Sequence, residues 1–93
     1  EYIEDVFYKQ NGKCFYSGIE LNVIKSDDKN MHDPFKMSID CIDPSVGYVA
    51  GNVVWCAYCV NSLKLKMPVN DMLDVCKRII DTAASCGFQS HAE

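Results

Sequence analysis

The sequence lacks a hydrophobic run approaching the ~20 residues that a membrane-spanning helix needs, and it lacks the charged and apolar regions of a signal peptide. Internal repeats, low-complexity tracts and linkers are also missing from it. These absences favour a soluble intracellular protein, cytoplasmic or nuclear, with no membrane partner. Because the first residue is Glu1 rather than Met, we expect the chain to be a fragment of a larger protein that carries additional domains.

The chain also lacks an excess of positive charge. Nine Lys and Arg residues stand against thirteen Asp and Glu residues, which gives a formal net charge of −4. A domain that holds nucleic acid by charge alone is basic, because it must neutralise phosphates. Any affinity for nucleic acid is therefore local, assisted by a metal, or supplied by another part of a longer protein.

Length and composition fit one globular domain over residues 1–93, since 48% of the residues are hydrophobic. Helical and strand patterns both occur, which predicts an α+β fold. Strands are predicted over Ser38–Ile42 and Val53–Trp55, and we expect them to pair as an antiparallel ribbon across the turn-rich segment DPSVGYVAGN. A small hairpin is predicted around Gly18.

Three helices are predicted around this ribbon. A short amphipathic helix covers Tyr2–Gln10 and ends at a glycine cap, and a second helix runs from about Cys56 to Lys66. A long helix begins at an Asn70 cap, continues to about Ser85 and ends at Gly87. Its apolar residues have i, i+3, i+4, i+7 spacing, which predicts a face packed on the core. They are Val69, Met72, Leu73, Cys76, Ile79, Ile80 and Ala83.

Six cysteines in a short secreted chain would suggest disulfides, but this chain has no secretory signal. Cys76 lies on the apolar stripe of the long helix. Cys56 and Cys59 lie on a similar stripe of the second helix. We therefore expect reduced cysteines that behave as small core residues.

Two acids flank a cysteine in SIDCIDPSVGYVAGNVVW, residues 38–55. Carboxylates at the end of a strand must be solvated, paired with cations or bound to a metal. Asp40 and Asp43 have an ordinary interpretation as turn and cap residues around Pro44.

The segments GKCFYSGIEL and SIDCIDPSVGYVAGNVVWCAYCVNSLK together resemble the HNH, or His-Me finger, endonucleases of the phage and homing type. Members of that family often read Gly-Lys-Cys-x-Tyr-Thr/Ser-Gly, then Ser-Leu/Ile-Asp-Arg-Ile-Asp, Gly-Tyr, Gly-Asn-Val-x-Trp and a helical Asn followed by Lys. The resemblance covers roughly residues 10–66, with the finger core at about 38–66. It implies a ββα-metal fold and metal-dependent hydrolysis of DNA phosphodiester bonds.

The resemblance also implies roles for individual residues. A single Mg²⁺ or Mn²⁺ would be held by Asp40 and Asn61, and Asn52 would orient the loop. Asp43 would be an additional ligand or a base. The two lysines that follow the helical Asn, Lys64 and Lys66, would contact the DNA phosphates.

This chain departs from the family at Cys41. The best-known members have a water-activating His there, and the Asp-Arg-Ile-Asp branch has Arg. A thiol is a weak base at neutral pH and a soft ligand that suits Mg²⁺ poorly. Either Asp43, His32 or a metal-bound hydroxide acts as the base, or the domain is a weakened or inactive descendant that binds nucleic acid or a protein.

Many HNH proteins carry two CxxC pairs that bind zinc. Here the second pair is Cys56-x-x-Cys59, but the first reads Cys14-x-x-Ser17, and the distance from Asn52 to the second pair is one residue shorter than in those members. Structural zinc is therefore not expected. A third possible functional class is an interaction module that is stabilised by cysteine cross-links or by zinc. It requires cysteines that lie outside the apolar stripes of the helices.

Overall fold

The computed structural model describes residues 2–23 and 33–87. The elements in chain order are α1 (Tyr2–Lys9), β1 (Met37–Cys41), β2 (Val53–Ala57), α2 (Tyr58–Lys64) and α3 (Val69–Cys86). This is an α+β fold, as predicted. No helix of the described ranges is long and apolar enough to cross a membrane. His32, one of the bases considered above, lies outside the described residues.

The two strands form the antiparallel ribbon that the sequence predicts. Met37 pairs with Ala57 at one end and Cys41 pairs with Val53 at the other. The strand β2 is longer than predicted because Cys56 and Ala57 pair with β1, so the expected helix start at Cys56 is wrong. The helix α2 follows directly, and it ends at Lys64 because Leu65 adopts a positive φ of 51°.

The core lies between the ribbon, α1 and the segment that follows α1. Its buried members are Cys14, Leu21, Cys56 and Ala57. On α1, Phe7 meets the Trp55 ring edge to face, with centroids 6.0 Å apart. The side-chain amide of Gln10 makes two hydrogen bonds to the backbone of β2. Its Nε2 donates to the Trp55 carbonyl at 2.9 Å, and its Oε1 accepts from the Trp55 N–H at 3.0 Å.

The hairpin predicted around Gly18 is present only as a single antiparallel bridge between Lys13 and Glu20. Gly18 has a φ of 76°, which suits the turn because glycine carries no Cβ. No strand is formed between residues 13 and 23.

The long helix α3 differs from its prediction at its start and on its apolar face. Pro68 occupies the N-cap position and Asn70 lies inside the helix, so the predicted Asn70 cap is wrong, whereas the predicted end at Gly87 is confirmed. Met72 is buried, but Leu73 and Ile80 are 55% and 67% exposed. Among the described elements α3 packs only against α2. A seven-residue helix is too short to cover an eighteen-residue one, so most of the stripe lies outside the core.

All six cysteines are free. Cys56 is fully buried, and its pKa is raised to about 12, first by burial and then by the negative charge of Asp40. Cys14 is also buried, but hydrogen bonds to its sulfur, mainly from Ser17, outweigh burial and lower its pKa. Cys86 at the end of α3 is exposed.

This difference in exposure predicts an order of thiol reactivity. We expect a thiol reagent to modify Cys86 rapidly in the native protein and Cys56 only after unfolding, because a buried thiol with a raised pKa presents little thiolate. Peptide mapping by mass spectrometry after timed labelling measures both rates. Cys86→Ser should remove the fast phase, and labelling of Cys56 as fast as that of Cys86 would contradict the structure.

Candidate active site

A cavity of about 390 Å³ lies where the end of β1, the loop between the strands and the end of α2 meet. We call it the Asp40 cavity. Its polar and aromatic lining residues are Asp40, Cys41, Tyr48, Asn61 and Lys66, and the rest of its walls come from Ile39, Pro44, Gly47 and Leu65.

Asp40 is buried, and its carboxylate is held by two donors. Its Oδ2 accepts a hydrogen bond of 2.6 Å from the Tyr16 hydroxyl and lies 3.1 Å from the Lys64 ammonium nitrogen. Among the described residues no donor lies within hydrogen-bond distance of Asp40 Oδ1. The carboxylate is therefore held by a hydroxyl and an ammonium on one oxygen, and its other oxygen accepts no hydrogen bond from residues 2–23 and 33–87.

Lys64 has no exposed side-chain area, although it was expected at the surface as a phosphate contact. Its Nζ pairs with Asp40 and also donates to the Cys41 carbonyl at 2.9 Å. Because Lys64 lies in the last turn of α2, this ammonium ties the helix to the end of β1. The structure thus gives Lys64 protein contacts. The exposed Lys66 lies at the cavity, where a phosphate contact stays a prediction.

Tyr16 is a site residue that the sequence reasoning did not assign. Burial raises its pKa, and donation of its hydroxyl to the Asp40 carboxylate raises that pKa further. The phenol therefore remains a protonated donor throughout the neutral range. The two residues are 24 positions apart and belong to different segments, so no local pattern in the sequence could have paired them.

Asn61 projects from α2 toward β1. Its Nδ2 donates to Ser38 Oγ at 2.6 Å and to the Ile39 carbonyl at 3.2 Å. These bonds orient the amide, and no donor among the described residues reaches Asn61 Oδ1. Asp40 and Asn61 therefore each bring to the same cavity one side-chain oxygen that accepts no hydrogen bond from the described residues.

Asn52 fixes the loop between the strands. Its Oδ1 accepts from the Asp43 N–H at 3.0 Å, and its Nδ2 donates to the carbonyls of Asp43 at 3.0 Å and Gly47 at 2.7 Å. Gly47 has a φ of 88°, a conformation that a side chain would strain. The buried Asn52 side chain thus holds the loop beyond the last strand pair, where the Ile42 N–H also donates to the Asn52 carbonyl at 2.8 Å.

The Asp43 carboxylate is exposed and is not among the described residues that line the cavity. Its Oδ1 accepts from the Ser45 hydroxyl at 2.7 Å and from the Ser45 N–H at 3.0 Å. Both bonds stabilise the ionised form and lower the pKa of Asp43. A carboxylate held in this way is a weaker base, and its contacts are those of a turn residue.

The donor set at the cavity determines which metal it could hold. Within residues 2–23 and 33–87, no group of three or more His, Cys, Asp or Glu side chains is placed to hold a metal ion. Mg²⁺ does not need such a cage, because it keeps several waters and is often bound by one or two carboxylates plus substrate phosphates. One carboxylate and one amide oxygen fit an open site of that kind.

The buried pair of Asp40 and Lys64 predicts coupled effects on stability. Asp40→Asn or Lys64→Met alone should each cost roughly 3–5 kcal/mol in the free energy of unfolding, because each leaves the other group without its charged partner. The double variant should cost less than the sum, with a coupling energy on the order of 2 kcal/mol. Urea unfolding followed by circular dichroism measures all four proteins.

A matched cycle is available on α3, where Lys77 and Asp81 form an exposed ion pair at 2.8 Å. Lys77→Met and Asp81→Asn should show a coupling of no more than about 0.5 kcal/mol, since exposed pairs are screened by water. Equal coupling in the two cycles would refute a stabilising role for the buried pair.

The structure brings four predicted site residues, Asp40, Cys41, Asn61 and Lys66, to one cavity and places Lys64 against Asp40. Comparison of the chain with known proteins gave no matching family model, no significantly similar curated protein and no significantly similar solved structure.

Proposed function

We propose that this chain is a metal-dependent endonuclease of the ββα-metal type that hydrolyses DNA phosphodiester bonds. The observation that carries the proposal is the Asp40 cavity, where one carboxylate and one helical amide lie between an antiparallel ribbon and the helix that follows it. The sequence resemblance to the HNH family points to the same two residues. Lys66 adds an exposed cation at the same cavity.

Asp40 and Asn61 would hold the metal, and both offer the hard oxygen ligands that Mg²⁺ and Mn²⁺ prefer. When bound there, such an ion supplies charge stabilisation to the scissile phosphate and to the departing 3′ oxygen.

The protein's own residues prepare the site in three ways. Tyr16 and Lys64 fix one oxygen of Asp40, so the carboxylate keeps one orientation without a ligand. The amide of Asn61 is oriented by Ser38. Lys66 gives a phosphate an electrostatic partner at the cavity wall, which matters in a chain of net charge −4.

Proton removal from the attacking water is the step for which this cavity is least equipped. Cys41 is the residue at the position of the family's His, and it is 8% exposed at the cavity. A thiol is a weak general base at neutral pH, so we expect slow hydrolysis in which the base is a hydroxide or a bulk water.

Nicking of supercoiled plasmid tests the proposal. We expect nicking with Mg²⁺ or Mn²⁺ and none with chelator. The double variant Asp40→Asn with Lys64→Met should lose at least about a hundredfold in rate, because it removes the carboxylate without leaving an unpaired buried charge. The double variant Lys77→Met with Asp81→Asn makes the same chemical changes on α3 and should nick at the wild-type rate.

Two results would contradict this function. One is wild-type nicking that chelator does not abolish, and the other is nicking that survives the Asp40 and Lys64 double variant while circular dichroism shows an intact fold.

The second candidate function is a non-catalytic relative that binds DNA or a protein. It is favoured by Cys41 and by the pairing of Asp40 with an ammonium, since both reduce what the cavity can do chemically. Under this alternative the wild-type chain shows no metal-dependent nicking at any protein concentration.

Cys41→His tests whether the missing base is what limits the rate. An imidazole at this position should raise the nicking rate by ~10²- to 10⁴-fold, because its pKa lies near the working pH. Cys41→Ser is the control for a change of side chain without a base and should nick at nearly the wild-type rate. If Cys41→Ser is inactive and folded, the thiol itself takes part and the weak-base explanation is wrong.

A further inference from the structure

A second cavity of about 360 Å³ adjoins the Asp40 cavity and shares Ile39 and Tyr48 with it. We call it the apolar cavity. Its remaining walls come from the start of α1 and from the loop that leads into β2, through Tyr2, Ile3, Val49, Ala50 and Val53. Cavities that bind small ligands have volumes of roughly 300–1,000 Å³, so this one has room for a single small ring system.

Hydrogen bonds hold the walls of this cavity in place. The Gly51 N–H donates to the Tyr2 hydroxyl at 2.7 Å, and Trp55 Nε1 donates to the Ile3 carbonyl at 2.9 Å. Both bonds tie the first turn of α1 to the ribbon and its loop. The cavity is therefore shaped before any ligand arrives.

Part of the lining of the apolar cavity is exposed. Tyr48, which lines both cavities, is 75% exposed, and Val49 beside it is 50% exposed. An exposed tyrosine ring is a group on which a planar ligand can stack. The described lining of the apolar cavity contains no charged side chain, so its ligand is apolar on its faces.

We propose that the apolar cavity is a nucleobase subsite that takes one unpaired base next to the phosphate bound in the Asp40 cavity. This inference rests on the proposed function. The shared wall of Ile39 and Tyr48 is what links the two sites, because a nucleotide carries its base and its phosphate on the same sugar, the base on C1′ and the phosphate on the 3′ or 5′ oxygen.

The substrate class follows from the chemistry of the lining. A base within a duplex has both faces covered by its neighbours and shows only its edges in the grooves. An apolar cavity beside a tyrosine can engage a base only through its faces, which requires an unstacked base. The preferred substrate is therefore single-stranded or locally unpaired DNA. Stacking also supplies affinity that a chain of net charge −4 does not obtain from phosphates.

The test uses binding of a fluorescein-labelled ten-residue thymidine oligonucleotide in chelator, read by anisotropy, so that no cleavage is needed. Tyr48→Ala should weaken binding about tenfold, and Tyr48→Phe should stay within about twofold because the ring is kept. Tyr8→Ala is the matched control, since Tyr8 is also 75% exposed and belongs to α1 but lines neither cavity. A duplex of the same length should bind more weakly than the single strand.

The outcomes separate the two proposals. Single-strand binding that depends on Tyr48, without metal-dependent nicking by the wild type, keeps the subsite and removes the nuclease. Metal-dependent nicking with oligonucleotide binding that Tyr48→Ala and Tyr8→Ala change equally removes the subsite and keeps the nuclease. Absence of oligonucleotide binding, or a preference for the duplex, also overturns the subsite.

Discussion

The buried contact between the Asp40 carboxylate and the Lys64 ammonium determines the arrangement of the candidate site. Taking either charge out of water alone is costly, so each group keeps the other in place. Tyr16 completes the set by donating to the same oxygen. Three segments that are distant in sequence, the end of β1, the end of α2 and the turn after α1, are thus joined at one atom, Asp40 Oδ2.

The same contact determines how a cation would enter the cavity. An ammonium 3.1 Å from Asp40 Oδ2 repels a second cation brought to the other oxygen, so the protein alone is a poor metal site. A phosphate brings negative charge and its own oxygen ligands. The metal is therefore expected to bind to the complex with nucleic acid rather than to the protein alone, which would confine any hydrolysis to that complex.

Features decided by local chemistry could be predicted from the sequence, whereas features decided by distant contacts could not. The β-branched and alternating segments predicted the antiparallel ribbon, and glycine predicted the end of α3. The helical spacing of Cys56 predicted a helix, but pairing with Ser38 keeps it in β2. Lys64 has the local signature of a surface residue, and only the fold shows that Asp40 lies beneath it. Tyr48 lines both cavities only because its loop is held by the hydrogen bond from Asn52 to the Gly47 carbonyl.

The helix α3 and the ribbon differ in the free energy that local unfolding requires. Among the described elements it packs only against α2, and its one buried residue, Met72, lies in its first turns. The amide protons of its later turns depend on helix hydrogen bonds alone, while those of the ribbon are also covered by α1 and α2. Opening of α3 from its carboxyl end therefore requires less free energy than opening of the ribbon, and it leaves the cavity intact. Amide exchange in this protein should accordingly report two separate units, of which only the more protected one contains the site.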